Sequence, residues 1–337
     1  NTDNEGIDAG EKSRFITQLE IEKQPKHNIT STIYNAVLPE KAYEPVTIPK
    51  TDKIITRLHE IATDKGFSPS SLTNYIRNPL QFYMQRILRI NEADEVEENI
   101  AVNTLGTIIH NALEELYTPY LNQYLALHHF ETMETKIDEV ILKHFKEIYK
   151  EGEITKGKNL LAFEVAKRNV YNFLQLEKKD IEEGQAIKVV LLEASLSCEI
   201  EVKSLPFPIK IAGKVDRIEE RNGAIRIIDY KTGKVLGNSL KINDFTDLTS
   251  DIKNEKIIQL LCYALMFENH ELKQNREVSA GIISFKNMKS GFLPFGLGKG
   301  KDSELAISSE ILEDFKSELE TLILEIFNSE IPFKEKV

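Results

Sequence analysis

The chain has 337 residues, of which 41% are hydrophobic and 29% charged, as is usual for a globular protein long enough to bury a large core. Nothing in the sequence resembles a signal peptide, and no run of about 18 apolar residues occurs. The two cysteines, Cys198 and Cys262, form no CxxC motif. We therefore expect a cytoplasmic protein without a membrane span, a disulfide framework or a zinc site. The formal net charge of −11 argues against a protein that coats nucleic acid.

The first 60 residues are rich in proline and mixed polar residues, and we predict a linker or an extension from an upstream domain. The chain begins with Asn rather than Met, which suggests a domain excised from a longer protein. Next, Ser68-Pro69 and Asn78-Pro79 each place a capping residue before a proline at the first helical position. They predict two helices, Pro69–Arg77 and Pro79–Ile90, that meet at a bend.

Three longer helices are predicted downstream, at about Asn103–Leu127, Glu131–Tyr149 and Asn159–Glu183. The first carries Gly106 and His110 one turn apart; a lone histidine on such a helix is more often a packed or capping residue than a ligand. Lysines on the polar faces of the other two favour a solvated surface, with a nucleic-acid-tracking surface as the alternative.

Beyond residue 186 the apolar period changes from 3.6 to 2, which predicts a strand at Ile187–Lys203 with Glu193 in its apolar half. Lys210–Gly233 then reads as a hairpin, because two apolar runs flank Asn222-Gly223, a strong signal for a two-residue type I′ turn. This turn pairs Arg221 with Ala224 and Glu219 with Arg226, and it therefore sets Asp216 opposite Asp229, on the same face as Lys231.

Two opposed carboxylates repel each other unless a cation lies between them, and apolar surroundings make unpaired carboxylates costly. A divalent metal site is therefore one interpretation of Asp216 and Asp229, and a solvated hairpin face is the other. Repulsion between them also predicts that Asp216→Asn stabilises the metal-free protein. Lys203–Lys241 holds nine Lys and Arg against four Asp and Glu, a local excess of +5 that would suit a basic cleft.

A polar loop of about twenty residues follows, and then a predicted helix, Lys256–Glu268, with Gln259 and Tyr263 on one face. Strands are predicted at Val278–Lys286 and near Phe292–Phe295, and a last helix at Ser309–Asn328. The GLGKGK loop at 296–301 lacks the spacing of a Walker phosphate-binding loop, so no ATP site is predicted.

Asp216 followed by Asp229-Tyr230-Lys231 resembles the core motif of the PD-(D/E)XK nuclease superfamily in its RecB-like form. Four further features occur in the order found in RecB- and AddB-like nuclease domains. They are the run Phe67–Leu88, Gly106-x-x-x-His110, Glu193 and Gln259-x-x-x-Tyr263. The resemblance covers residues 67 to 333.

This resemblance implies an α/β (mixed α+β) fold of the restriction-endonuclease type, with a central mixed β-sheet flanked by helices and additional N-terminal helices. The nuclease domain would span 61–337, with a helical part at 103–185, a sheet core carrying the active site at 186–300 and a C-terminal helix at 308–328. In iron–sulfur members of this group, a cysteine stands directly before the position that corresponds to Pro79. This chain has Asn78 there, so no iron–sulfur cluster is expected.

The resemblance also assigns roles to single residues. Asp216, Asp229, Lys231 and Glu193 would be catalytic; His110, Asp216, Asp229 and the main-chain carbonyl of Tyr230 would bind Mg²⁺, with Mn²⁺ as a substitute. Gln259 and Tyr263 would contact DNA.

The function expected on this basis is metal-dependent hydrolysis of DNA, as an exonuclease in DNA repair or recombination. The domain would belong to a larger AddB-like protein and would work with a helicase-type partner subunit or an upstream helicase-like domain. The alternative is a nuclease fold that binds DNA ends without cleaving them, as a subunit of a repair complex.

Overall fold

The computed structural model describes residues 13–30, 43–90, 100–149, 156–298 and 303–336. The chain divides into two compact units, residues 1–44 and 45–337. In the first unit, α1 (Arg14–Ile21) is an amphipathic helix without a buried residue. No helix among the described residues is long and apolar enough to cross a bilayer.

The second unit begins with a short strand and a series of helices, followed by strands interleaved with helices. Its elements are β1 (Thr47–Ile48), α2 (Asp52–Glu60), α3 (Pro69–Arg77), α4 (Pro79–Phe82), α5 (Val102–Tyr117), α6 (Leu127–Ile148), α7 (Gly157–Glu182), β2 (Ile187–Ile200), β3 (Ile209–Arg221), β4 (Ala224–Lys231), β5 (Lys241–Ile242), α8 (Glu255–Phe267), β6 (Val278–Ser284), β7 (Phe292–Pro294), β8 (Gly296–Leu297), α9 (Ser309–Phe327) and β9 (Phe333–Lys334).

Five of these strands form a mixed sheet in the order β2-β3-β4-β6-β7, in which only β4 and β6 run parallel. One hydrophobic core joins α5, α6 and α7 to the sheet; a second lies around α8, with α3 and α9. The chain thus has the predicted architecture, a central mixed sheet flanked by helices with additional helices before it.

Side-chain capping explains why α3 and α4 begin at the residues that the sequence predicts. The Ser68 hydroxyl accepts the Ser71 N–H at 3.1 Å, and α3 has the predicted bounds. The Asn78 side-chain oxygen accepts the N–H groups of Leu80 and Gln81 and caps α4. The second predicted helix differs, because α4 continues into a π-helical turn at Tyr83–Ile87 instead of running to Ile90.

The hairpin register is confirmed over five pairs, from Arg221 opposite Ala224 to Arg217 opposite Ile228. Asn222 and Gly223 both have positive φ, +51° and +88°, as a type I′ turn requires. The ladder stops one pair before Asp216 and Asp229. There the Tyr230 N–H donates to the Asp216 carboxylate at 2.7 Å, so β3 and β4 separate where the two aspartates lie.

Candidate metal centre and active site

Three side chains from three elements converge on one point. His110 from α5, Glu193 from β2 and Asp216 from β3 each offer an atom that could bind a metal, and these atoms lie within 4.8 Å of one another. His110 Nδ1 is 3.5 Å from Asp216 Oδ1 and 3.8 Å from Glu193 Oε1. All three side chains are mostly buried, with 24%, 11% and 13% of their surface exposed.

The backbone of Glu193 explains how β2 presents this carboxylate. Leu192 pairs with Arg217 and Ala194 with Val215, so Glu193 lies opposite Asp216 between two regular ladder pairs. Its φ is +46°, in the left-handed region that side chains other than glycine rarely adopt. Such a conformation costs on the order of 1–3 kcal/mol and concentrates at functional sites. Nothing in the sequence indicates it.

A second group adjoins the first, built from β4 and α8. Asp229 is 2% exposed, and its Oδ2 lies 2.8 Å from Lys231 Nζ. Gln259 Nε2 donates to Asp229 Oδ1 at 3.0 Å and to the Tyr263 hydroxyl at 2.6 Å, while Lys231 Nζ donates to Gln259 Oε1 at 3.2 Å. As the register predicts, Tyr230 points to the opposite face, where its ring packs on Phe173 and Phe285.

Burial and mutual repulsion set the protonation of these groups. Burial raises the pKa of Asp229 to about 6, an effect that Lys231 opposes and Asp216 reinforces. Burial also raises the pKa of Glu193 against the attraction of Lys214. For His110 burial disfavours the imidazolium, but the hydrogen bond and charge of Asp216 prevail and raise its pKa. In the absence of a cation the site therefore tends to hold protons.

This donor set fits a divalent cation. Two carboxylates and one imidazole meet in a mostly buried position. Burial raises the pKa of Glu193 and of the adjoining Asp229, so a nearby cation would favour the charged form of both carboxylates. Carboxylate oxygens suit Mg²⁺ and Mn²⁺, and an imidazole adds a ligand that Mn²⁺ accepts well. Asp229 borders the triad through its charge coupling to Asp216 and His110, and the Tyr230 backbone borders it through the Asp216 hydrogen bond.

The local excess of Lys and Arg overstates how basic the cleft is, because some of the counted side chains are buried. Arg217 is fully buried and forms ion pairs with Glu177 and Glu219, and Arg221 pairs with Glu219 and Asp180. Neither guanidinium is available to a phosphate. Lys214 is the basic residue at the site that the sequence reasoning missed. Its Nζ lies 2.7 Å from Glu193 Oε2, and its position two residues before Asp216 was the available signal.

The fold and the site together define an α/β protein with a carboxylate–histidine group, suited to a divalent cation, where two antiparallel strands separate. The chain belongs to the PD-(D/E)XK nuclease superfamily, whose family model matches residues 66–337.

Curated relatives are proteins of Rickettsia species that are described as uncharacterized. One from Rickettsia conorii is 25% identical over 199 residues, covering 56% of this chain and 22% of its own length. One from Rickettsia typhi is 25% identical over 191 residues, covering 52% and 20%. The chain thus spans about a fifth of the length of the relatives it matches.

A solved crystal structure, that of SSO0001, aligns with 74% of this chain and 85% of its own at 13% identity. Its TM-score is 0.20, too low to add to the assignment of the fold.

Proposed function

We propose that the protein is a metal-dependent nuclease that hydrolyses phosphodiester bonds in DNA. The observation that carries this proposal is the juxtaposition of the His110–Glu193–Asp216 group with the Asp229–Lys231 pair. It puts candidate metal ligands beside the ammonium group of Lys231, whose side chain is 31% exposed, and superfamily membership gives this arrangement its chemical meaning.

In this mechanism His110, Glu193, Asp216 and Asp229 would hold the cation, with the Tyr230 carbonyl as a further ligand. When bound, the cation would supply Lewis-acid polarisation of the phosphate and would lower the pKa of a water.

Lys231 and its neighbours act alongside the cation. Lys231 keeps its proton, because Asp229 outweighs the effect of burial and raises the lysine pKa. Its ammonium orients the attacking water and neutralises charge that develops on the phosphate. Gln259 holds both Asp229 and Lys231 in place through hydrogen bonds, and with Tyr263 it positions the DNA strand.

The finer assignments rest on motif order. We propose a RecB- or AddB-like exonuclease domain that uses Mg²⁺ or Mn²⁺ in the cytoplasm, in DNA repair or recombination beside a helicase-type partner, and without an iron–sulfur cluster. The great length of the curated relatives agrees with a domain of a larger protein. Non-catalytic binding of DNA ends is the competing function, and the presence of Asp216, Asp229 and Lys231 together argues against it.

Cleavage of labelled DNA tests the proposal. We expect Mg²⁺ or Mn²⁺ to support degradation of linear DNA while closed circles resist, and EDTA to abolish it. Asp216→Asn and Lys231→Ala should each lose on the order of 100-fold or more, because the first removes a ligand of the cation and the second removes the ammonium that stabilises charge on the phosphate. Lys234→Ala, an exposed lysine three residues further on, is the matched control and should cleave normally.

Four results would contradict parts of this proposal. Cleavage in EDTA would refute the metal mechanism, and normal rates for Lys231→Ala would refute the role of that residue. Tight binding of DNA ends without cleavage by the wild-type protein would establish the non-catalytic alternative. Cleavage of closed circles would replace the exonuclease by an endonuclease.

A further inference from the structure

Lys214 is a second lysine at the candidate metal centre, on the side away from Lys231. It lies two residues before Asp216 on β3, so both side chains project from the same face of the strand. The two lysines therefore flank the carboxylates, Lys231 beside Asp229 and Lys214 beside Glu193.

The two oxygens of Glu193 have different neighbours. Oε2 lies 2.7 Å from the Lys214 ammonium, whereas Oε1 faces His110 Nδ1 at 3.8 Å. A cation bound by the triad would take the oxygen on the His110 side and would share this carboxylate with Lys214. Since Lys214 and the cation are both positive, they would repel each other across one carboxylate.

Something must nevertheless hold the ammonium at this position. Glu193 attracts it, and Glu114, one turn beyond His110 on α5, and Asp216 add to the attraction. The Lys214 side chain is 58% exposed, so its charge remains accessible at the rim of the centre. Solvent around the exposed lysine screens this ion pair, and such pairs contribute only about 0–1 kcal/mol to folding stability, so stability alone does not account for a cation placed against the metal ligands.

A phosphate of a bound strand resolves this conflict of charges, because an anion between the metal and the ammonium attracts both. We propose that Lys214 contacts a DNA phosphate adjacent to the one being cleaved, at the cost of weaker metal binding in the absence of DNA. The inference rests on the proposed function and adds a phosphate-positioning residue to that site.

The role of Lys214 is tested by two affinities, for Ca²⁺ and for DNA, which should change in opposite directions when its charge is removed. The probes are Ca²⁺ alone, titrated calorimetrically, and a short linear DNA whose binding is measured in saturating Ca²⁺ at several salt concentrations, with a gel to show that the DNA stays intact. For Lys214→Gln we expect Ca²⁺ to bind about tenfold tighter, because a nearby positive charge is gone. DNA should bind several-fold more weakly, with a salt slope reduced by about 0.7 to 0.9, the value for one lost phosphate contact.

Two further variants separate charge from structure. Lys214→Arg keeps the charge and should retain both wild-type affinities within about threefold. Lys210→Gln removes a lysine four residues earlier on the same strand, whose Nζ contacts the Asp64 main chain, and should leave Ca²⁺ affinity unchanged. Melting temperatures of all variants show that each is folded.

The outcomes distinguish this inference from the proposed function. Unchanged or weaker Ca²⁺ binding by Lys214→Gln, or an unchanged salt slope, overturns the role of Lys214 while leaving the nuclease proposal intact. Loss of both affinities together indicates a structural role and also overturns the inference. A wild-type protein that binds neither Ca²⁺ nor DNA overturns the proposed function, and the inference with it.

Discussion

The two aspartates at the end of the hairpin differ in their surroundings, although the hairpin register treats them alike. Asp216 accepts the Tyr230 N–H at 2.7 Å and faces His110, so polar groups compensate its charge. Asp229 is nearly inaccessible, and its pKa is raised to about 6. The cost of holding a carboxylate in the metal-free protein therefore falls on Asp229. We therefore expect Asp229→Asn, rather than Asp216→Asn, to stabilise the metal-free protein.

The stability of the metal-free protein should accordingly depend on pH through Asp229. Its folded pKa of about 6 exceeds the ordinary value of 3.8, so the folded state binds this proton more tightly than the unfolded state does. The free energy of unfolding then falls as pH rises from about 4 to about 6, and the loss persists above that window. A shift of two pKa units corresponds to about 3 kcal/mol at most.

Asp229→Asn removes this penalty. In EDTA the variant should melt above the wild type at pH 7.5, with the difference vanishing near pH 4. Saturating Mg²⁺ should close most of this gap, because wild type gains about 2.7 kcal/mol at a hundredfold excess over the dissociation constant and the variant gains less. Thermal melts across pH measure both effects. A variant that melts below wild type in EDTA at pH 7.5 would show that the Asp229 carboxylate stabilises the apo fold.

At the scale of elements, the turn between β3 and β4 controls where the proposed catalytic groups lie. A two-residue turn leaves no freedom in register, and a slip by one residue would move Asp216 to the other face of the sheet. Gly223 has a φ of +88°, with no other group within 4 Å of the position a Cβ would occupy. Any penalty for a side chain there is therefore purely conformational.

Gly223→Ala should destabilise the protein by about 1–2 kcal/mol, the cost of left-handed backbone for a residue with a Cβ. Gly233→Ala is the matched control, since its Cβ would also meet nothing within 4 Å and its φ is not in the positive region. The control should be neutral or slightly stabilising. Chemical denaturation of both variants measures the difference. Equal effects would mean that φ at Gly223 does not limit stability.

Local signals in the sequence account for most of the elements, and long-range packing accounts for what they miss. Capping residues fixed the start of α3, and the Asn-Gly pair fixed the hairpin register, because both act within a few residues. The first long helix was predicted to end near Leu127 but ends at Tyr117, because a 3₁₀ turn containing Pro119 follows directly. The predicted helix continued because its apolar pattern continues there.

At the candidate site, too, local spacing predicts some features and long-range packing determines the others. Spacing alone brings Asp216, Asp229 and Lys231 together, since one hairpin carries all three. The approach of His110 and Glu193 depends on how α5 and β2 pack against that hairpin, and only the resemblance suggested it. The left-handed backbone of Glu193 and the burial of Arg217 depend on tertiary contacts, which no spacing rule represents.

On the scale of the whole molecule, the end of the second unit is joined to its beginning. Phe333 of β9 is fully buried; it pairs with Ile48 of β1 and packs on the rings of Tyr75, Phe82 and Tyr83. Lys50 donates to the Glu325 carbonyl at the end of α9, and its ammonium lies over the Phe333 ring. Aromatic packing and a short strand pair thus connect the two ends of this unit.

This closure makes residues 45–60 part of the folded core, and two truncations test it. Deletion of residues 1–44 removes the first compact unit and should leave the melting temperature within about 2 °C of wild type. Deletion of residues 1–60 also removes β1, Lys50 and the fully buried Leu58, leaving Phe333 without its strand partner.

Loss of a buried leucine costs about 2–5 kcal/mol, and the exposed aromatic surface adds to that. At about 2–4 °C per kcal/mol for a unit of this size, the lost leucine alone should lower the melting temperature of the shorter protein by about 4–20 °C. Differential scanning calorimetry of the three proteins measures this. Equal melting temperatures would favour the domain start at residue 61 that composition suggested. A large loss on removing 1–44 alone would show that the first unit contributes to the stability of the second.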